Sequence, residues 1–162
     1  MHIAWLGKKT PFCGNVTYGR EVTNALLDRG HQVSFLHFAQ EEEGETLAES
    51  GCAEVALPFL FKSTIYTIPT PRSSRVLTDA LAKLKPDLVH ASLTLSPLDF
   101  RLPEICEELG LPLIATFHPP FDSKLRNFSS STQFLTYQLY APSLAQYDKV
   151  IPYGNQRRKN CN

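Results

Sequence analysis

The sequence has no hydrophobic run long enough to cross a membrane, since none of its apolar stretches approaches the roughly 20 residues that a transmembrane helix requires. The N-terminus also lacks a basic segment followed by a continuous apolar stretch, so no secretory signal peptide is predicted. Charge of one sign is not in excess, because 16 basic residues balance 16 acidic ones. These absences predict a cytoplasmic protein that does not bind nucleic acid, and they leave peripheral contact with a membrane open.

Cysteine-based sites are also missing. The four cysteines form no Cys-x-x-Cys pair and have no histidine partner nearby; they are Cys13, Cys52, Cys106 and Cys161. This spacing predicts reduced thiols rather than a metal site, and Cys106 is expected to be a core residue. No metal and no cofactor are expected.

Two phosphate-binding motifs are absent. The dinucleotide-binding fingerprint needs three glycines at fixed spacing after a strand, and Gly7, Gly14 and Gly19 do not provide it. A P-loop would need a glycine five residues before Gly7, where the sequence has His2. An NAD-dependent enzyme and a P-loop protein are therefore disfavoured, and no local motif supplies an activated serine or cysteine nucleophile.

The sequence does contain short apolar strands that alternate with helical segments. Predicted strands cover residues 2–6, 32–38, 87–92, 111–117 and 150–151, and predicted helices cover 15–29, 76–84, 97–109 and 133–147. Residues 55–68 are interpreted as an irregular strand and a long loop, and the acidic segment 41–49 as solvated surface. The alternation predicts an α/β fold with a doubly wound, Rossmann-like parallel sheet, in one domain over residues 1–151 followed by a divergent tail over 152–162.

Candidate functional residues lie where predicted strands end. Ligands bind outside the carboxyl ends of parallel strands, so His90, His118 and the loop containing Gly14 are expected to line one crevice. Gly14 would let a ligand approach the backbone, and Asn15, the expected N-cap, opens a helix whose dipole favours an anion. Asp122 could accept a proton or a hydrogen bond from a hydroxylated substrate.

Each candidate also has a purely structural interpretation. Asp122 follows two prolines and is an ordinary turn residue in that view. For His90 the structural interpretation is favoured, whereas for His118 the functional one is preferred because Thr116 and Asp122 flank it.

At these residues the sequence resembles a known family. The segments 14–31, 85–91 and 112–118, in this order and spacing, resemble the N-terminal half of retaining glycosyltransferases of family 4, which have the two-domain GT-B fold. The likeness covers residues 1–151, and the segment 116–122 looks especially like cyanobacterial members. Some of those members make glycolipids.

The resemblance implies that this domain binds the acceptor, while a C-terminal domain binds the nucleotide-sugar donor and supplies an E-x7-E motif. It implies that His118 is the catalytic histidine that reaches the transferred sugar. It also implies that Gly14 faces the donor phosphate and the acceptor. Asn15, His90 and Asp122 are further substrate-binding candidates because of their positions in the predicted elements. Because the donor half does not follow residue 151, the chain is expected to be an inactive truncation or one subunit of a split enzyme.

Two other classes stay open, a stand-alone binding or regulatory module without catalysis and a small α/β enzyme that uses His118 and Asp122. The expected partners are a nucleotide-sugar, a hydroxylated acceptor that includes lipids, and a second copy or partner subunit. Self-association is expected through an exposed surface that includes Phe117, Pro119, Pro120 and Phe121, which a second domain covers in two-domain relatives.

Overall fold

The computed structural model describes residues 1–10, 13–39, 53–63, 66–93, 95–117 and 138–152. In chain order the elements are β1 (His2–Leu6), α1 (Gly14–Asp28), β2 (Gln32–Phe38), β3 (Ala53–Leu57), β4 (Phe59–Lys62), β5 (Thr67–Pro69), α2 (Ser73–Leu84), β6 (Leu88–Ser92), α3 (Leu98–Leu109), β7 (Leu113–Phe117) and β8 (Lys149–Pro152). Residues 138–144 are helical, so the described part of the helix predicted over 133–147 is confirmed up to residue 144.

Six strands form one parallel sheet in the order β3-β2-β1-β6-β7-β8. The strand β1 therefore lies in the middle, with β2 on one side and β6 on the other. Successive strands run outward from β1 in both directions, which is the doubly wound arrangement that the sequence predicted.

Alternate side chains of each strand point to opposite faces of the sheet, and the two faces are covered differently. On one face, Ala4 and Leu6 join a core with Leu77 and Leu81 of α2 and with the apolar side of α3. On the other face, fully buried Trp5 packs with Val33 and Phe35 beneath α1. The helix α1 therefore lies opposite α2 and α3.

Glycines mark the ends of two helices, α1 and α3. The helix α1 stops before Gly30, and α3 ends at Gly110, where φ angles of 79° and 64° are in the left-handed region that glycine adopts without strain. Cys106 is buried in α3 as predicted, and burial raises the pKa of its thiol to about 12.

The interpretation of residues 55–68 as one irregular strand and a long loop is wrong. The chain there completes β3 at Leu57 and then forms the antiparallel hairpin β4–β5, with a register shift between Phe59 and Phe61. Prolines are typical of loops, but Pro69 ends a strand and Pro58 lies between strands, where neither interrupts a ladder.

A proline inside α3 is compensated from another part of the chain. Pro103 has no N–H to donate to the carbonyl of Asp99, four residues earlier. The Tyr147 hydroxyl donates to that carbonyl at 2.7 Å, and the Tyr140 hydroxyl donates to the Asp99 carboxylate at 3.0 Å. The segment after residue 137 is thereby anchored to the start of α3.

Candidate functional site

The order of the sheet reverses between β1 and β6. In open α/β sheets the crevice for ligands lies outside the carboxyl ends of the strands at such a reversal. The chain leaves β1 through Gly7 and Lys8 and leaves β6 through Leu93, so these positions border the crevice.

The first turn of α1 is tied directly to the end of β6. The Ser92 hydroxyl donates to Asn15 Oδ1 at 2.7 Å, and Asn15 Nδ2 donates to the Leu93 carbonyl at 3.2 Å. The expected N-cap role of Asn15 is therefore wrong, because α1 begins at Gly14 with Cys13 as its N-cap. The Asn15 amide instead fixes the position of the helix start, and with it the positive end of the helix dipole, beside the crevice.

Gly14 is exposed, and a Cβ built on it would have no atom within 4 Å among the described residues. Among the described residues, no side chain requires glycine at this position. The open side of the backbone leaves room for a ligand at the helix start.

A second polar group lies beneath α1. Thr116 Oγ1 is hydrogen-bonded to His90 Nε2 at 2.9 Å and to the Tyr18 hydroxyl at 3.1 Å. The His90 ring stacks against Trp5, its partner in the β1–β6 register, with ring centroids 4.0 Å apart. His90 is buried, and it supports Thr116 and, through Thr116, Tyr18. Neither Tyr18 nor Thr116 was predicted as a site residue.

The position of Tyr18 in the sequence does indicate that it belongs to the site. It lies three residues after Asn15 and therefore on the same side of α1. A polar side chain at this spacing from the helix start faces the same crevice as Asn15. The sequence does not indicate a site role for Thr116, because only the sheet register shows which residues its side chain contacts.

Lys8 is a further site residue that the sequence analysis missed. It is only 4% exposed, and its ammonium group donates to the Ser63 carbonyl at 3.2 Å. Burial lowers the pKa of Lys8, while the nearby charges of Cys13 and Asp99 act in the opposite direction. The side chain brings a cation close to the carboxyl end of β1.

Packing against Trp5 explains two glycines near the site. A Cβ on Gly7 would lie 2.8 Å from Trp5 Nε1, and one on Gly19 would lie 3.4 Å from the same atom. The indole N–H has no hydrogen-bond partner in the part of the chain that the structure describes. Trp5 therefore fills the space between β1 and α1 and leaves no room for a side chain at Gly7.

Two of the predicted site residues, His118 and Asp122, lie outside the described residues, as do Pro119, Pro120 and Phe121. Phe117, the last residue of β7, is buried and contacts the Tyr140 ring. The expectation that Phe117 is exposed is therefore wrong, because the segment after residue 137 packs over it.

Within the described ranges, no three His, Cys, Asp or Glu side chains come close enough to hold a metal ion. The helices of those ranges are too short or too polar to cross a bilayer.

Comparison with known proteins identifies the same fold in glycosyltransferases. MurG from Acinetobacter baumannii superposes with a TM-score of 0.58 at 13% identity, over 95% of this chain and 41% of the MurG chain. A glycosyltransferase from Rickettsia africae gives a TM-score of 0.52 at 14% identity, over 93% of this chain and 42% of its own. The chain thus spans less than half the length of either protein.

No curated protein matches the sequence. The structural matches show the fold alone, which is that of the N-terminal-like half of a GT-B glycosyltransferase. A family model described as Glycosyltransferase Family 4 matches residues 14–157. The match covers most of the sequence, and the chain accordingly belongs to Glycosyltransferase Family 4.

Proposed function

We propose that this domain is the acceptor-binding half of a glycosyltransferase, and that transfer needs a second half that binds the nucleotide-sugar. The observation that carries the proposal is a pair of partly exposed polar side chains at the reversal of strand order, Asn15 and Tyr18, which buried polar groups hold in place. There Asn15 and Ser92 connect α1 to β6, and Tyr18 and Thr116 connect α1 to β7.

Asn15 and Tyr18 suit a hydroxylated acceptor. Hydroxyl and amide side chains can both donate and accept hydrogen bonds, as an acceptor sugar or polyol requires. The buried His90 holds Thr116 in place, and Asn15 is fixed by two bonds, so the lining is organised before a ligand arrives. His118 directly follows Phe117 at the carboxyl end of β7, and we assign it the contact with the transferred sugar.

These 162 residues alone should not complete the reaction. Sugar transfer releases a nucleoside diphosphate, and stabilising charge that develops on such a group contributes about 3–4 kcal/mol per well-placed donor. The chain corresponds to 41% of the MurG length, so the rest of a GT-B enzyme would have to supply the donor site. We propose that this second half binds the nucleotide-sugar.

Ligand titration tests the acceptor assignment. Amide NMR signals of Asn15, Tyr18 and Ser92 should shift when sugars, polyols or glycolipid headgroups are added, while the signal of Thr78 on α2 should not. If UDP- or GDP-sugars shift the three signals and no hydroxylated acceptor does, the domain binds the donor and the assignment is wrong.

A transfer assay with radiolabelled UDP- or GDP-sugars tests the role of His118. The chain alone should give no product above a control without protein, and fusion to the C-terminal half of a Family 4 enzyme should restore transfer. In that fusion His118→Ala should abolish transfer and change the free energy of unfolding by less than about 0.5 kcal/mol. A loss of about 1–3 kcal/mol with transfer retained would show that His118 is a structural residue.

A further inference from the structure

Three polar side chains form a continuous hydrogen-bonded series from α1 into the sheet. The Tyr18 hydroxyl is bonded to Thr116 Oγ1 at 3.1 Å, and Thr116 Oγ1 is bonded to His90 Nε2 at 2.9 Å. We call these three residues the Thr116 network. Thr116 and His90 are buried, whereas Tyr18 is half-buried and lies on the same side of α1 as Asn15. The network therefore begins at a partly exposed side chain beside the crevice and ends inside the domain.

The single hydrogen of the Thr116 hydroxyl restricts the network to two arrangements. A hydroxyl donates one hydrogen bond, so Thr116 donates to one neighbour and accepts from the other. In the inward arrangement Tyr18 donates to Thr116, which donates to His90 Nε2. In the outward arrangement His90 Nε2 donates to Thr116, which donates to Tyr18. The inward arrangement leaves Tyr18 only acceptor capacity towards a ligand, whereas the outward one leaves its O–H as a donor.

The chemistry of the three groups favours the inward arrangement. A phenol is more acidic than an aliphatic alcohol and is the stronger hydrogen-bond donor, while the unprotonated nitrogen of imidazole is a stronger acceptor than a hydroxyl oxygen. The inward arrangement makes Tyr18 the donor and His90 Nε2 the final acceptor, so both groups take their stronger roles. It requires the neutral tautomer of His90 with its hydrogen on Nδ1.

Packing against Trp5 holds both ends of the network. The centroid of the Trp5 ring lies 4.0 Å from that of His90 and 6.1 Å from that of Tyr18. Trp5 is fully buried beneath α1, and its register partner on β6 is His90. The spacing across Thr116 is therefore set before a ligand binds, which favours one direction of hydrogen bonding over continual exchange.

We propose that the Tyr18 hydroxyl accepts a hydrogen bond from a hydroxyl group of the ligand, and that Thr116 and His90 are positioning residues that set this direction. For the identity of the ligand this role rests on the proposed function, to which it adds a specificity. The site selects a group that donates a hydrogen bond over an ether or a fluorine, which can only accept. Because the ligand oxygen is the donor, its lone pairs stay available for attack on the transferred sugar.

The direction is tested without a ligand by ¹⁵N NMR of the His90 ring at mildly alkaline pH, with the signals assigned by their loss in His90→Gln. Nε2 should give the signal of an unprotonated nitrogen, and Nδ1 that of an N–H. Thr116→Ser keeps the hydroxyl and should preserve this pattern, whereas Thr116→Val should shift the Nε2 signal. Thr78→Val on α2 is the matched control and should change neither signal. A protonated Nε2 in the unsubstituted chain would overturn the proposal.

The selectivity is tested by titration with methyl α-glucoside and with analogues in which each hydroxyl in turn is replaced by fluorine. At least one analogue should bind about tenfold more weakly than the glucoside, which corresponds to one lost hydrogen bond. Tyr18→Phe should remove that penalty. Thr116→Val should reduce it, because the Tyr18 O–H then loses its inward acceptor and can donate to the fluorine, and Thr116→Ser should retain it.

The two tests separate the role of Tyr18 from the proposed function. Binding of the glucoside and of every analogue with equal affinity would overturn the role of Tyr18 while acceptor binding stands, as would a penalty that persists for every analogue in Tyr18→Phe. If the glucoside does not bind but the His90 ring has the expected tautomer, the proposed function and the ligand contact of Tyr18 are refuted, and the inward direction of the Thr116 network is confirmed.

Discussion

Replacing Gly7 by alanine should destabilise the domain through a clash with Trp5. The added Cβ would lie 2.8 Å from Trp5 Nε1, 3.1 Å from Trp5 Cδ1 and 3.4 Å from Phe35 Cζ. The indole is fully buried and stacked on His90, so it cannot move away without disturbing the polar group beneath α1. Overpacking of this kind costs about 1–3 kcal/mol.

The measurement is urea denaturation followed by the fluorescence of Trp5, the single tryptophan of the chain. A loss of about 2 kcal/mol would lower the Tm of a chain of this size by about 4–8 °C. Gly14→Ala is the control, since a Cβ there meets nothing within 4 Å. Because alanine is the better helix former, this control should leave stability unchanged or raise it by up to about 1 kcal/mol.

Gly7→Ala and Gly14→Ala together test whether contact with Trp5 causes the loss of stability. If Gly7→Ala unfolds within about 0.5 kcal/mol of the unsubstituted chain, Trp5 has room to move and the packing argument is refuted. If Gly14→Ala destabilises as much as Gly7→Ala, the loss does not come from the contact with Trp5.

Two further predictions concern α3 and β2. Tyr147→Phe should cost about 1–3 kcal/mol, because Pro103 leaves the Asp99 carbonyl without its helical donor. A double-mutant cycle measured by urea denaturation checks this. In the Pro103→Ala background the restored N–H can bond to the Asp99 carbonyl, so Tyr147→Phe should cost less there, and an equal cost in both backgrounds would contradict the prediction. For His37, burial lowers the pKa in the folded chain below 6.5, with the charge of Lys9 acting in the same direction. The unfolded chain therefore binds the proton first, and stability should fall as the pH drops below about 6.5. Thermal melts over this range should show a smaller fall for His37→Asn, and an unchanged slope would mean that His37 does not contribute.

The parallel sheet could be predicted because its strands carry strong local signals. The run from Leu113 to Phe117 is apolar except for Thr116, and Gly110 marks the end of α3 before it. Such patterns need no knowledge of distant residues. The hairpin β4–β5 was missed because Pro58 and Pro69 are typical of loops, and only the tertiary structure shows that both stand where no ladder bond is lost.

The candidate site was predictable in position but not in its contacts. Helix position alone made Asn15 an expected N-cap, yet its partners Ser92 and Leu93 come from the other half of the domain. His90 was predicted at or near a strand end, but it is the middle residue of β6, and its contact with Trp5 follows from register, which the local sequence does not encode.

The central position of β1 has a consequence for how the domain folds. His2 and Asp87, which join β1 to the start of β6, are 85 residues apart in sequence, while β1 and β2 are connected through α1 alone. Closing the longer loop carries the larger entropy cost, so β1, α1 and β2 can associate before β6 joins them. The crevice between α1 and β6 then exists only after this long-range step, and an opening of the β1–β6 pair would separate Asn15 from Ser92 while leaving most secondary structure in place.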